Sequence, residues 1–345
     1  MINFSLWNFN KFSSLAELLE TIDENKSVIR KSGRLYGGHD LRNDIGIYEG
    51  FGKFSVDSIK CLGETVEFVA FGTNCQVCRK NQETDLYEVK DVVEKVIAFE
   101  RDNKVKVVIL ASQKNAENII KRIFSNELVW GQIVEDNYVS EDMLYWLFYR
   151  LREMPQERIV SEPKMFLNGI ISYLGRTNDK INAVRGIGIR VSALLGTLGM
   201  LLGEESLRAL RPMIQFGEHE INIEIYIGNS GKIYPKTYAG PFVQRSDFEY
   251  DVSLILLVCK FILPSLRKGY KDSFEKREWS IYIKRVFLTA IGNEMSEKVK
   301  RVMHDIELEI ERYEEDNGGA EEVADYSEIE ELLEEEQLED EIEIG

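Results

Sequence analysis

The chain has 345 residues, 44% apolar and 10% aromatic, a composition that buries a core and excludes a chain too polar to fold. Its formal charge of −17 is confined to one end: from His304 onward twenty Asp and Glu face one Arg, so the first 303 residues carry +2 and an anionic partner is not excluded for them. The opening MINFSLWNFN lacks a basic stretch followed by an apolar core, no apolar run reaches the ~20 residues of a bilayer span, and four scattered cysteines give no disulfide framework, so a soluble, cytoplasmic chain with no membrane partner is expected.

In chain order, Ser14–Asn25 has helical spacing at Leu15, Leu18, Leu19 and Ile22. NDIGIYEGFGKF and TVEFVAFG are Gly-punctuated, β-branched and aromatic, which predicts strands with turns between them. Leu86, Val89, Val93, Val96 and Phe99 fall on one helical stripe, and KVKVVILAS reads as a strand buried on both faces. QKNAENIIKRIFS predicts a helix and LVWGQIV a strand. SEDMLYWLFYRLREM predicts a helix with Ser140 and Asp142 available to cap it. This order gives an α/β fold class, with parallel strands in an N-terminal domain over residues 1–154.

Two of the six prolines, Pro155 and Pro163, mark a boundary. Residues 155–315 then read as a mainly helical domain: Met165–Leu174, Ile181–Leu210, Val252–Leu263, Glu278–Ile291 and Asn293–Glu315 as helices, with one β-hairpin around 219–238. In that hairpin Ile221, Ile223, Ile225 and Ile227 alternate with polar residues, and Asn229-Ser230-Gly231 supplies the turn. Residues 316–345 form an acidic tail, disordered or conditionally helical, with a capping box at Ser327 and Glu330 and an apolar stripe at Ile329, Leu332, Leu333 and Leu338.

Several constellations bear on chemistry. Cys75-Gln76-Val77-Cys78 is a single CxxC with Cys61 and His39 upstream, where structural zinc wants two ligand pairs and a redox CxxC wants a helix N-terminus. The three His residues are too dispersed for a metal phosphohydrolase, and Gly186, Gly188, Gly196, Gly199 and Gly203 match no phosphate-binding loop. Asp57, then Glu88 and Lys90 in an E-x-K, with a helix and a buried strand after them, resembles the order of the PD-(D/E)xK nuclease core. That resemblance implies Asp57 and Glu88 as Mg²⁺ ligands and Lys90 as the group that activates water. The periodicity through Leu86, Val89 and Val93 sets Glu88 and Lys90 on a helical turn instead, where residues two apart do not face each other.

The last constellation is electrostatic. Between Leu256 and Met303 eleven basic residues face five acidic ones, among them Arg267, Lys268, Lys271, Lys276, Arg277, Lys284, Arg285, Lys298, Lys300 and Arg301. Tyr270, Trp279, Tyr282 and Phe287 are interleaved, the pairing of charge for phosphates with rings for unpaired bases. The leading expectation is a non-enzymatic nucleic-acid-associated or assembly protein without a cofactor, its basic segment gated by the acidic tail. The alternatives are the Mg²⁺-dependent nuclease and a module that binds a protein partner through the tail.

Overall fold

The structure, a computed structural model, describes residues 1–31, 38–48, 51–81, 86–176, 183–188, 195–202 and 206–316. Strand β1 (Ile2–Phe9) is buried on both faces through Phe4, Ser5, Leu6 and Trp7. Helix α1 (Leu15–Glu24) starts where the Ser14 hydroxyl accepts the Glu17 amide at 3.3 Å and the Glu17 carboxylate reaches back to the Ser13 amide at 2.9 Å. It buries Leu15, Leu18 and Ile22, about 1.5–3 kcal/mol of transfer free energy each.

The next strands are β2 (Ser27–Lys31), β3 (Asp40–Gly46), β4 (Asp57–Cys61), β5 (Glu64–Lys80), β6 (Tyr87–Arg101) and β7 (Lys104–Ile109). Turn chemistry sets their pairing. Leu62 and Gly63 between β4 and β5 have φ of 54° and 82°, and Asp102 and Asn103 between β6 and β7 have 55° and 56°. Positive φ at both central residues marks the type I′ hairpin, whose twist suits two antiparallel strands. Then come α2 (Gln113–Arg122), α3 (Glu127–Trp130), β8 (Ile133–Glu135) and α4 (Glu141–Glu153), the last capped by Ser140 as the sequence predicts.

Beyond α4 lie β9 (Met165–Arg176), β10 (Ala183–Ile187), α5 (Leu195–Leu202), β11 (Ser206–Phe216), β12 (His219–Tyr226) and β13 (Ser230–Ile233). Helix α6 (Asp247–Leu256) runs through a π-helical stretch, Leu257–Ile262, into α7 (Leu263–Glu275), and α8 (Ile281–Asp316) follows. Among the described residues thirteen strands form one sheet in the order β10-β9-β11-β12-β13-β1-β7-β6-β5-β3-β2, with β4 on β5 and β8 on β1, and every pairing is antiparallel. Strand β1 joins the two ends of the chain, pairing Ile2 with Ile233 along one edge and Phe9 with Val105 along the other.

One face of the sheet carries a core of Trp7, Phe9, Val69, Phe71, Val105 and Val107 packed with Leu15, Leu18, Ile119, Phe124 and Trp130 from α1, α2 and α3. Helix α4 packs on β9 and β11, and α6 on β4. The chain divides into a unit of residues 1–290 and a unit of residues 291–345. The strands on either side of the expected boundary at 154/155 belong to the same sheet.

Mixed α/β is therefore the observed class, with corrections. The sheet is antiparallel, and short turns rather than helical crossovers link β4 to β5, β6 to β7, β11 to β12 and β12 to β13. Residues 87–101 are strand β6, not a helix: thirteen successive pairs with β5, from Phe68 opposite Phe99 to Lys80 opposite Tyr87, outweigh a chance 3–4 spacing among β-branched valines. Met165–Leu174 lies within strand β9, and Ile181–Leu210 contains β10 and the start of β11 around α5, so neither stretch is a single helix. LVWGQIV splits at Gly131, φ 68°, into α3 and β8. The predicted hairpin is β12–β13, with its turn displaced to residues 227–229. The tail from 317, its capping box and Gly203 lie outside the described residues.

Candidate functional site: a cationic helix between two clefts

Helix α7 follows the π-helical stretch directly, and that stretch ties it to the sheet. A π turn leaves backbone carbonyls out of the regular i→i−4 pattern. The Cys259 carbonyl, inside it, accepts Arg101 Nη1 at 3.5 Å, while Lys260 Nζ donates to the Glu100 carbonyl at 2.9 Å. Arg101, the last residue of β6, is thereby held at the foot of α7.

Beneath Arg101 is a buried polar network. Lys106 and Asp136 are 6% and 7% exposed, and Lys106 Nζ donates to Asp136 Oδ2 at 2.7 Å and also to Asn8 Oδ1. The Tyr138 hydroxyl donates to the same Asp136 oxygen at 2.9 Å and accepts from Arg101 Nη2. Burial pulls the Lys106 ammonium below its ordinary value, against the opposing pull of Asp136. Arg101 and Arg267 both lie over the Tyr138 ring, at 5.1 and 5.7 Å from its centroid. The cleft above, about 490 Å³, is lined by Arg101, Asp102, Tyr138, Arg267, Lys268 and Lys271, with Pro264, Asp272 and Glu275 completing the wall. Asp102 is answered by Arg101 Nε at 3.2 Å.

The other flank of α7 forms a second cleft, about 470 Å³, whose basic residues are Arg150, Arg158, Lys268 and Lys276 and whose acids are Glu157, Glu162, Asp272 and Glu278. Gly269 lets the helix approach this wall: a Cβ there would stand 2.4 Å from Ile159 Cγ2. Arg150 is 5% exposed, yet its guanidinium has no carboxylate at hydrogen-bond distance. Its Nη2 donates to the Arg158 carbonyl at 2.9 Å, its Nη1 to Met154 sulfur at 3.1 Å, Nε has no partner, and Glu157 stands 3.8 Å away. A buried guanidinium so weakly countered favours an anion close by.

The ten basic residues singled out in the sequence are thus divided. Arg267, Lys268 and Lys271 are exposed on α7, Lys276 caps its C-terminus, all four line the clefts, and Arg277 follows with φ 60°. Lys284 is taken by Asp142 at 3.0 Å, Lys298 by Glu294 at 2.8 Å and Lys300 by Glu297 at 3.2 Å. Arg301 Nε points to the Glu297 carbonyl at 3.4 Å, and Arg285 is exposed on α8.

The aromatic reading is corrected more sharply. Trp279 is 1% and Phe287 3% exposed, and the Trp279 indole and Tyr270 hydroxyl both donate to Asp142 Oδ2 at 2.7 Å. Burial pushes the Asp142 carboxyl up, but hydrogen bonds from Trp279, Tyr270 and Lys284 outweigh it and hold the group below its ordinary value. Of the four rings only Tyr282, at 78% exposure, faces solvent, joined by Phe274 on α7 at 57%. Sequence reasoning missed Phe274, Arg101, Tyr138, Arg150 and Arg158. The Asp102-Asn103 pair, a hairpin signal, pointed to Arg101 as a strand end but was hidden by the helical reading of 86–99.

The nuclease residues are not brought together. Glu88 and Lys90 lie two apart on β6 and so share a face of the strand, while Asp57 begins β4 opposite Phe68, which pairs with Phe99. Glu88 is eleven residues from Phe99 along β6, about 35 Å at ~3.3 Å per residue. Asp57 accepts Lys53 at 3.1 Å, and Glu88 accepts Asn81 Nδ2 at 2.6 Å. Cys75 and Cys78 sit on β5 an odd number apart, hence on opposite faces, Cys75 in the core with its thiol pushed up to about 11 by burial. His219 is buried, with Nδ1 2.7 Å from the Tyr238 hydroxyl, and burial lowers its pKa. Among the described residues no three His, Cys, Asp or Glu gather as a metal site, and no helix is long and apolar enough to cross a membrane.

No protein-family profile matches this chain, and no curated protein sequence is significantly similar to it.

Proposed function

We propose that this chain binds the phosphate backbone of a nucleic acid along helix α7, without base stacking as its main contact and without chemistry of its own. One observation carries the reading: α7 and its C-cap expose Arg267, Lys268, Lys271 and Lys276 with no ion pair among the described residues, while Arg101 and Arg150 reach its two flanks from the sheet and from α4. Arg267 and Lys271 stand one helical turn apart, about 5.4 Å along the axis, and so face one strand of charge together. The burial of Trp279 and Phe287 leaves electrostatics to dominate, so affinity should follow counterion release more than base identity.

The test is fluorescence anisotropy with labelled duplex and single-stranded oligonucleotides over a salt series. The wild-type chain is expected to bind with log affinity falling linearly in log salt, and Arg267→Glu/Lys271→Glu to flatten that slope by about two. Salt-independent binding, or a slope unchanged in the variant, would refute the proposal.

A further inference from the structure

The described part of the second unit, residues 291–316, is helix. Every residue from 299 to 313 is exposed. This exposed stretch of the helix is not polar throughout. Val299, Val302, Met303, Ile306, Ile310 and Tyr313 recur at the spacing of one helical face, each between 44% and 63% exposed. Such a stripe is the surface a helix keeps for a partner helix.

Two features identify that partner as a second copy of the same helix running the opposite way. The first is charge. Lys298, Lys300 and Arg301 cluster at the start of the stripe, whereas Asp305, Glu307, Glu309, Glu311 and Glu314 dominate its remainder against Arg312. Parallel copies would stack acid end on acid end, and would bring together two segments that each carry fourteen more acids from Asp316 to Gly345. Antiparallel copies place each basic end beside the other's acidic end. The second feature is symmetry: Val302 and Ile310 lie four residues either side of Ile306, and Val299 and Tyr313 seven residues either side. Reversing the helix about Ile306 therefore lays five of the six apolar positions on apolar positions, with Met303 opposite Glu309, so the patch is largely self-complementary, as a two-fold contact requires.

We propose that the chain forms a two-fold dimer by antiparallel pairing of α8 across Val299–Tyr313, centred on Ile306, with the basic start of each stripe lying alongside the acidic remainder of the other. Six side chains per copy make a small interface, below the ~800 Å² per partner of standard ones, so the dimer is concentration-dependent.

Sedimentation equilibrium of the full chain over a wide concentration range tests this. The wild type is expected to show monomer–dimer exchange, and Ile306→Asp to raise the dissociation constant about ten-fold or more. Lys298→Glu/Arg301→Glu and Glu311→Lys/Glu314→Lys are each expected to be monomeric alone and to dimerise when mixed, a restoration that parallel pairing does not give. A wild type that stays monomeric, an Ile306→Asp chain that still dimerises, or a mixture that stays monomeric would overturn the proposal.

Discussion

Helices α7 and α8 are neighbours in sequence and similar in basic composition, yet their cations are in different circumstances. On α8, Lys284, Lys298 and Lys300 each have a carboxylate within 3.2 Å. Lys268 and Lys271 on α7 and Lys276 at its C-cap have no ion pair among the described residues, and Arg267 lies over the face of Tyr138. A count of charges along the chain treats the two alike. Sequence spacing does not separate them, since Asp272 and Glu275 stand four residues after Lys268 and Lys271; what differs is that among the described residues no ion pair closes on the α7 cations, which face clefts whose floor is already occupied by buried charge.

That floor offers the largest effect. Asp136→Ala leaves Lys106 buried without its counter-ion and removes the acceptor of Tyr138, so a loss of about 3–5 kcal/mol in urea unfolding is expected. A loss below about 1 kcal/mol would show that the network under α7 does not hold the cleft in place.

Asp142 is the next lever, because one carboxylate secures Tyr270 of α7, Trp279 and Lys284 of α8. Asp142→Ala is expected to cost about 1.5–3 kcal/mol. The pH dependence has a definite sign. A carboxyl held below its ordinary value stabilises the fold above the unfolded pKa of about 4, and that contribution is lost as pH falls through the lower folded value. Unfolding titrations of wild type and Asp142→Asn should therefore converge in acid and diverge above about pH 4.

Reversing charge sharpens the comparison directly. Arg267→Glu/Lys271→Glu is expected to weaken oligonucleotide binding by about thirty-fold at low salt, whereas Lys298→Glu/Lys300→Glu should change it by about two-fold at most, measured where the chain is monomeric. Comparable losses from both pairs would erase the distinction between the helices. A chain ending at Glu315, whose formal charge rises from −17 to −3, should bind polyanions a few-fold more tightly at low salt, with the difference screened away as salt rises.

How far the sequence discloses this arrangement depends on whether a signal is local. Helices α1 and α4 are legible because Ser14 and Ser140 cap them and their apolar faces are periodic. Strand β6 is not, since Val89, Val93 and Val96 fit a helical stripe as well as a strand and only the register with β5 decides. The place of β1 between β13 and β7 depends on partners about a hundred residues or more away. The same holds at the site. The basic residues of α7 are visible in the sequence, but that Asp142 claims Lys284, Trp279 and Tyr270 is not, and this is what turns three supposed nucleic-acid contacts into core and leaves α7 exposed.

The central claim is that α7, and not the basic segment as a whole, carries affinity for phosphate. The most direct measurement is the slope of log affinity against log salt for a duplex oligonucleotide, compared between wild type and Arg267→Glu/Lys271→Glu. A linear salt dependence in the wild type, shallower by about two in the variant, is the predicted result. Equal slopes, or no binding at low salt by the wild type, would contradict the claim.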